Sequence, residues 1–166
     1  MDTVAHDTPT LVSRDAWRAA RLTLLAREKE LTRLQDQLAR ERSALPWVRV
    51  DPPSTFDTPQ GTRTLAELFD GRRQLMVQHF MFAPGWEQGC KSCSFMADHH
   101  AGALLHLVQR DLTLVAVSRA PLADIEAFRR RMGWTFPWVS SFGTSFNHDF
   151  GVNFSQEEMS RGAVDY

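Results

Sequence analysis

The chain holds two cysteines, Cys90 and Cys93, separated by Lys91 and Ser92. Two thiols at this spacing can close a short disulfide or supply half of a metal site. Chemistry of the first kind needs one sulfur held as a thiolate and the other within its reach. The flanking sequence predicts how that is arranged. The apolar run 75–82 reads as a short strand, and the pattern from Ser94 to about Gln109 reads as a helix. A strand that hands the first cysteine to a helix N-terminus places it beside unpaired N–H groups and partial positive charge, which favour a thiolate. Cys90 is therefore expected as the attacking thiolate and Cys93 as the resolving thiol. Lys91 adds a positive charge in the favourable direction, and the hydroxyls of Ser92 and Ser94 are placed to bond a sulfur.

Other chemistries fit less well. A metal site would draw on His99, His100 or His106, but His99 and His100 lie roughly 9–10 Å along the helix axis from its start. Metal bonds of ~2.0–2.3 Å do not bridge that rise, and no second Cys-x-x-Cys is present. Neither a metal nor a cofactor is expected. His100 falls on the apolar face of its helix, and His79 lies inside the strand, so both read as satisfied core histidines. The sequence lacks a P-loop, a dinucleotide glycine pattern and a Ser-His-Asp arrangement. The competing class is a non-catalytic module that keeps the scaffold for binding or assembly.

Composition bounds the rest. The 166 residues are 43% apolar and 23% charged, with a net charge of −1. That is enough apolar material for a core without disulfide staples. The charge balance argues against nucleic acid as a partner. No apolar run approaches the ~20 residues of a membrane span. Residues 1–7 lack the layout of a signal peptide. A cytoplasmic protein is expected, and in that reducing compartment a Cys-x-x-Cys is more often catalytic or metal-binding than structural.

Three segments are expected: a flexible lead over 1–12, a helical arm over 13–45 and an α/β domain over 46–166. Ser13 or Asp15 caps the arm's helix, which runs to about Ser43 before Pro46 stops it. Leu24, Leu31, Leu38 and Leu45 recur every seven residues along it. This narrow seam would pack on its own domain or form a dimer contact, and the charges at Arg27 and Glu41 favour the former.

A short strand is expected over 47–51, then a hairpin turning at Pro59-Gln60-Gly61 and a one-turn helix over 65–69. Residues 75–81 form a central strand. The helix after Cys93 presents Met96, His100, Ala103, Leu104, Leu107 and Val108 to the core. Residues 112–117 are a doubly buried strand. A helix opens at Pro121, turns Leu122, Ile125, Phe128 and Met132 inward, and ends at Gly133. A third strand over 136–140 has Pro137 at its start or lies at an edge. Residues 141–151 are loop, and Ser155 to Glu158 form a capping box ahead of a last short helix. Strand-helix-strand-helix-strand order predicts a parallel sheet with the cysteines at its C-terminal edge, where such sheets gather their sites.

The series Phe56, Gly61, Leu65, Leu68, Gly71, the apolar strand, Trp86, Cys90-x-x-Cys93, the Val-rich strand and Phe136-Pro137 resembles the thioredoxin-like superfamily, in its peroxiredoxin- and thiol-reductase-like branch. More narrowly, three stretches resemble a bacterial family of unknown function labelled as predicted dithiol–disulfide oxidoreductases. They are Glu28 to Arg33, then His79 to Phe82 with Cys90 to Phe95 and Asp98, then Arg110-Asp111, Ser118 to Pro121 and Gly133-Trp134. The resemblance covers the chain from about residue 12 onward. It implies an α/β thioredoxin-like sheet with flanking helices, a long N-terminal helix, and a protein or small-molecule disulfide as substrate with a thiol as reductant. It also implies Trp86, Lys91, Ser92 and Pro137 as site walls or substrate contacts.

Thiol peroxidases of that branch carry Thr or Ser three residues before the reactive cysteine. Here Glu87 precedes Cys90 and Cys90 precedes Cys93 at that distance, so peroxide reduction ranks below disulfide exchange. The fold's closing β-hairpin is expected to be missing from this chain. The open sheet edge, like the N-terminal helix, would then offer a homodimer contact.

Overall fold

A computed structural model describes residues 9–50 and 54–162. They fall into two units, divided between Arg49 and Val50.

The first unit is one helix, α1 (Arg14–Ser43). The Ser13 hydroxyl accepts the Ala16 N–H at 3.2 Å, with Asp15 in the first turn and Arg40 and Arg42 in the last. Cap and charges thus match the helix's own polarity. No residue of α1 is buried, and the seam leucines Leu24, Leu31, Leu38 and Leu45 stay exposed. Residues 9–12 precede α1 without helix or strand, and the rest of the lead expected over 1–12 lies outside the described residues. Trp47 to Val50 do not form the expected strand, and Asp51 lies outside the described residues. β-Propensity needs a neighbouring strand to act on, and Trp47 is 96% exposed.

The second unit is built on a five-stranded sheet in the order β2-β1-β5-β4-β3. β1 (Thr55–Thr58) and β2 (Gly61–Thr64) form the expected hairpin. The Thr58 hydroxyl closes its turn by donating to the Gly61 carbonyl at 2.7 Å. A single 3₁₀ turn, Glu67–Phe69, leads to β3 (Gln74–His79). β3 runs parallel to β4 (Leu112–Ser118), which runs parallel to β5 (Trp138–Ser140). β1 returns antiparallel against β5 through Asp57 and Ser140.

The expected position of one strand is thereby corrected, and of the two alternatives for the 136–140 strand the strand-start one holds. β3 lies at the sheet edge rather than its centre, and β5 is interior. Because the hairpin pairs with β5, the first parallel strand is left on the outside. Pro137 stands just before β5, so its missing N–H costs no ladder bond, and its carbonyl accepts the Ala116 N–H at 2.9 Å.

β4 is buried along its length and divides the core by alternation. Val115 and Val117 join Phe56, Leu68, Val139 and Phe146 on one side. Ala116 joins an aromatic cluster that includes Phe80, Phe82, Phe128, Trp134, Phe136 and Trp138 on the other. The small side chain of Ala116 leaves room for those rings. α4 (Leu122–Met132) begins after Pro121, buries Ile125 and Phe128, and ends at Gly133 with φ +72°. Met132 is exposed rather than inward.

The helix expected from Ser94 is two helices, α2 (Lys91–Ala97) and α3 (His100–Val108). The break falls at Asp98, whose carboxylate accepts the Trp134 indole N–H at 2.8 Å. Ala97 is the fully buried residue of this region, while Met96 and Val108, expected in the core, are exposed. The break rotates the second half of the pattern relative to the first.

Residues 141–151 are not all loop: α5 (Phe146–Asp149) buries Phe146 against Phe56, with ring centroids 4.7 Å apart. α6 (Gln156–Arg161) carries the expected capping box, with Ser155 and Glu158 bonded both ways, and ends at Gly162. Among the described residues, no strand follows β5. The arrangement is a thioredoxin-like α/β fold whose described residues include no closing hairpin.

Candidate active site

Past His79 the chain stays on the sheet for two more bonds. The Phe80 N–H donates to the Val117 carbonyl and the Ala120 N–H to the Phe82 carbonyl, both at 2.9 Å. It then loops outward through Pro84 to Gln88 and returns, where the Cys90 N–H donates to the Met81 carbonyl at 2.9 Å. Gly89 makes the return possible. A Cβ there would stand 2.4 Å from the Phe80 ring, which is fixed in the aromatic core.

Cys90 is the residue preceding the first turn of α2, and it is partly exposed. Its thiol pKa is lowered from the ordinary value. The main cause is the Cys93 backbone N–H; desolvation opposes it, and the Cys93 thiol and the Ser92 N–H add smaller lowering contributions. These N–H groups act on the sulfur electrostatically, since no full capping hydrogen bond is closed. Cys93 moves the opposite way. Burial raises its pKa first, the backbone N–H of Met81 opposes this, and the Cys90 sulfur beside it raises it further. Cys93 packs against the aromatic core. Neither cysteine is in a disulfide. The pair is thus an accessible thiolate-prone sulfur bonded by a partly buried, proton-retaining one.

Cys93 also lines a cavity of about 510 Å³, whose walls include Met81, Phe82, Trp86 and Val152. Trp86 lines the same cavity as Cys93, with about half its surface open. Lys91 and Ser92 are exposed on the first turn of α2. Ser94 bonds no sulfur: its hydroxyl donates to the Cys90 carbonyl at 2.9 Å. Pro137 is not brought to the cysteines. It lines a separate cavity of about 340 Å³ with Thr58, Leu68 and Arg129.

Gln78 ties the site to the sheet. Its amide N–H donates to the Cys93 carbonyl at 3.3 Å, and its oxygen lies 2.6 Å from His100 Nε2. His100 is therefore a bonded core histidine, edge-on to Phe136 at 5.2 Å, and burial lowers its pKa. His79 stacks on Phe146 at 5.3 Å, burial lowers its pKa, and its Nδ1 has no partner.

Several contributors escaped the sequence reading. The Met81 backbone touches both cysteines. Arg119, Asn147, Val152 and Asn153 reach the Cys93 cavity from across the sheet edge. Arg119 follows β4 directly, and the rule that sites gather beyond the carboxyl ends of parallel strands points to it. Nothing in the sequence of the segment 147–153 marks its return to the same place. Among the described residues, no group of three His, Cys, Asp or Glu side chains is arranged to hold a metal. Nor is any described helix long and apolar enough to cross a membrane.

Fold and site together define the class: a thioredoxin-like α/β protein with a Cys-x-x-Cys dithiol at a strand-to-helix junction. No curated protein and no solved structure matches the chain. The family described as bacterial protein of unknown function (DUF899) matches residues 6–165, and the chain belongs to it.

Proposed function

We propose that the protein is a thiol–disulfide oxidoreductase of the cytoplasm. One observation carries the reading: a partly exposed Cys90 stands just before the first turn of α2 with its sulfur against that of Cys93, which packs on the aromatic core, and these surroundings lower one thiol pKa and raise the other. An inert pair has no need of that asymmetry, whereas stepwise exchange uses both halves of it.

The Cys90 thiolate attacks one sulfur of a substrate disulfide. That S–S bond breaks, a mixed disulfide forms on Cys90, and the first substrate thiolate departs and takes up a proton. Cys93 then gives up its proton and attacks the Cys90 sulfur, releasing the second substrate thiolate. The substrate gains two electrons, and the protein is left with a Cys90–Cys93 disulfide. A low-molecular-weight or protein thiol restores the dithiol. Trp86, Lys91 and Ser92 flank the incoming disulfide in this reading.

Disulfide reduction by the purified protein, driven by dithiothreitol, tests it. Cys90→Ser abolishes turnover. Cys93→Ser blocks resolution and accumulates the mixed disulfide, visible by mass spectrometry as a substrate adduct on Cys90. Unchanged turnover in Cys90→Ser would mean that the dithiol is not the working group.

A further inference from the structure

The cavity beside Cys93 has a lopsided polar lining. Among the described residues, no aspartate or glutamate lines it, and Arg119 is the one arginine or lysine that does. The Arg119 guanidinium donates to the Asn153 side-chain oxygen, and no carboxylate among the described residues pairs with it. A half-buried guanidinium whose one side-chain partner among the described residues is a neutral amide has further donors to offer, and its fork geometry suits a carboxylate. Of the remaining walls, Met81, Phe82, Trp86 and Val152 are apolar, and the polar ones, His79, Asn147 and Asn153, bear no negative charge. The space suits a small molecule: an apolar cavity of about 150 Å³ already takes benzene, and this one measures about 510 Å³. Cys93 forms part of the wall, and the Cys90 sulfur is in contact with the Cys93 thiol.

We infer that the disulfide reduced at Cys90 belongs to a small organic molecule with an apolar, ring-sized body and a carboxylate, the body seated against Trp86 and the carboxylate on Arg119. This rests on the oxidoreductase reading and names its substrate class. The exchange steps are those above: the S–S bond of the small molecule breaks, each half leaves as a thiol, and the protein is oxidised to the Cys90–Cys93 disulfide. Trp86 and Arg119 act on binding and orientation, and neither takes part in electron transfer.

Two measurements test it. The first compares kcat/KM for an aromatic disulfide bearing carboxylates, dithiobis(nitrobenzoate), with that for a neutral one, dithiodipyridine, in the unaltered protein, Arg119→Gln and Arg119→Lys. A charge-assisted bidentate contact makes the anionic-to-neutral ratio fall roughly ten- to hundredfold in Arg119→Gln. Arg119→Lys, which keeps the charge, restores part of it. A ratio that stays the same in Arg119→Gln, or insulin reduced far more efficiently than either small disulfide, overturns the inference.

The second measurement needs no turnover. Calorimetry on Cys90→Ser is expected to show 2-naphthoate binding more tightly than neutral 2-naphthamide, with the preference lost in the Cys90→Ser, Arg119→Gln double variant. Equal binding of the two probes, or binding of neither, overturns the anion site while leaving the redox reading intact. Naphthoate selectivity in a protein without disulfide turnover overturns the substrate assignment through failure of the redox reading.

Discussion

The cavity at Pro137 and the cavity at Cys93 have polar groups organised on different lines. The one at Pro137 contains charges of both signs, three of the four paired with each other or with close neighbours, while Arg63 makes no ion pair among the described residues and Glu126 Oε1 and Arg129 Nε are buried without a hydrogen-bond partner there. Arg129 pairs with Glu126 at 2.9 Å, and Asp70 pairs with Arg72, also at 2.9 Å. The one at Cys93 contains a sulfur and an arginine for which the described residues offer no counter-ion. Both pairs are local, Glu126–Arg129 within α4 and Asp70–Arg72 in the segment just before β3. Unspent groups such as those at Cys93 are what a ligand can use. The difference teaches where to expect chemistry: substitutions at one cavity should change turnover and leave folding alone, and substitutions at the other should do the reverse.

The largest separation is expected from Cys90→Ser. Disulfide turnover falls by at least about 10³-fold as its nucleophile is removed, while thermal stability stays within about 0.5 kcal/mol of the parent. Gly89→Ala strikes both properties, because its methyl must displace the Phe80 ring. A loss of about 1–3 kcal/mol on denaturant unfolding is expected, accompanied by slower alkylation of Cys90 as the return from Met81 shifts. A neutral outcome there would mean that the approach of backbone to ring does not position the cysteine.

Glu126→Gln tests the other cavity. It weakens the partner of Arg129 and costs about 1 kcal/mol of stability, with kcat/KM for disulfides unchanged. Altered kinetics would show that the two cavities are linked rather than distinct.

The smallest effect is at α6. His148 is raised above its ordinary 6.5, chiefly by its hydrogen bond to Glu158. Glu158 is lowered to about 2, chiefly by the Ser155 N–H and hydroxyl and then by His148. The contribution of His148 is complete below its unfolded pKa and disappears as pH rises through its higher folded value. The contribution of Glu158 is present above its ordinary 4.5 and is lost only as pH falls toward 2. α6 is therefore held best between about pH 4.5 and 6.5. Hydrogen exchange of amides 156–161, corrected for intrinsic rates, should quicken above that window. Constant protection would show that the capping box alone holds the helix.

What could be read from the sequence was whatever local chemistry decides. The Ser13 cap and Pro46 bracket α1, Pro121 and Gly133 bracket α4, and the Ser155–Glu158 box opens α6. The unbroken apolar run of β4 announced a strand covered on both faces. The cysteine pair was legible because its spacing and its strand-to-helix setting are both local.

Long-range pairing was not legible. Residues 56–58 return to β5 and make it interior, a choice set by contacts about eighty residues apart in the chain. The α2–α3 break depends on Trp134 reaching Asp98. The anionic preference inferred at Arg119 depends on a loop beyond α5 folding back to it. Trp47 to Val50 show the converse, strong strand formers without a partner to pair with.

Site-resolved alkylation of the reduced protein with iodoacetamide across pH, read by mass spectrometry, tests the proposed division of labour most directly. The rate at each sulfur follows its thiolate fraction, which rises with pH through that sulfur's pKa. Cys90 should be modified first, with a midpoint below the ordinary thiol value of 9.0, and Cys93 should lag with a midpoint above it. Equal rates at the two positions, or Cys93 reacting first, would contradict the assignment of nucleophile and resolving thiol.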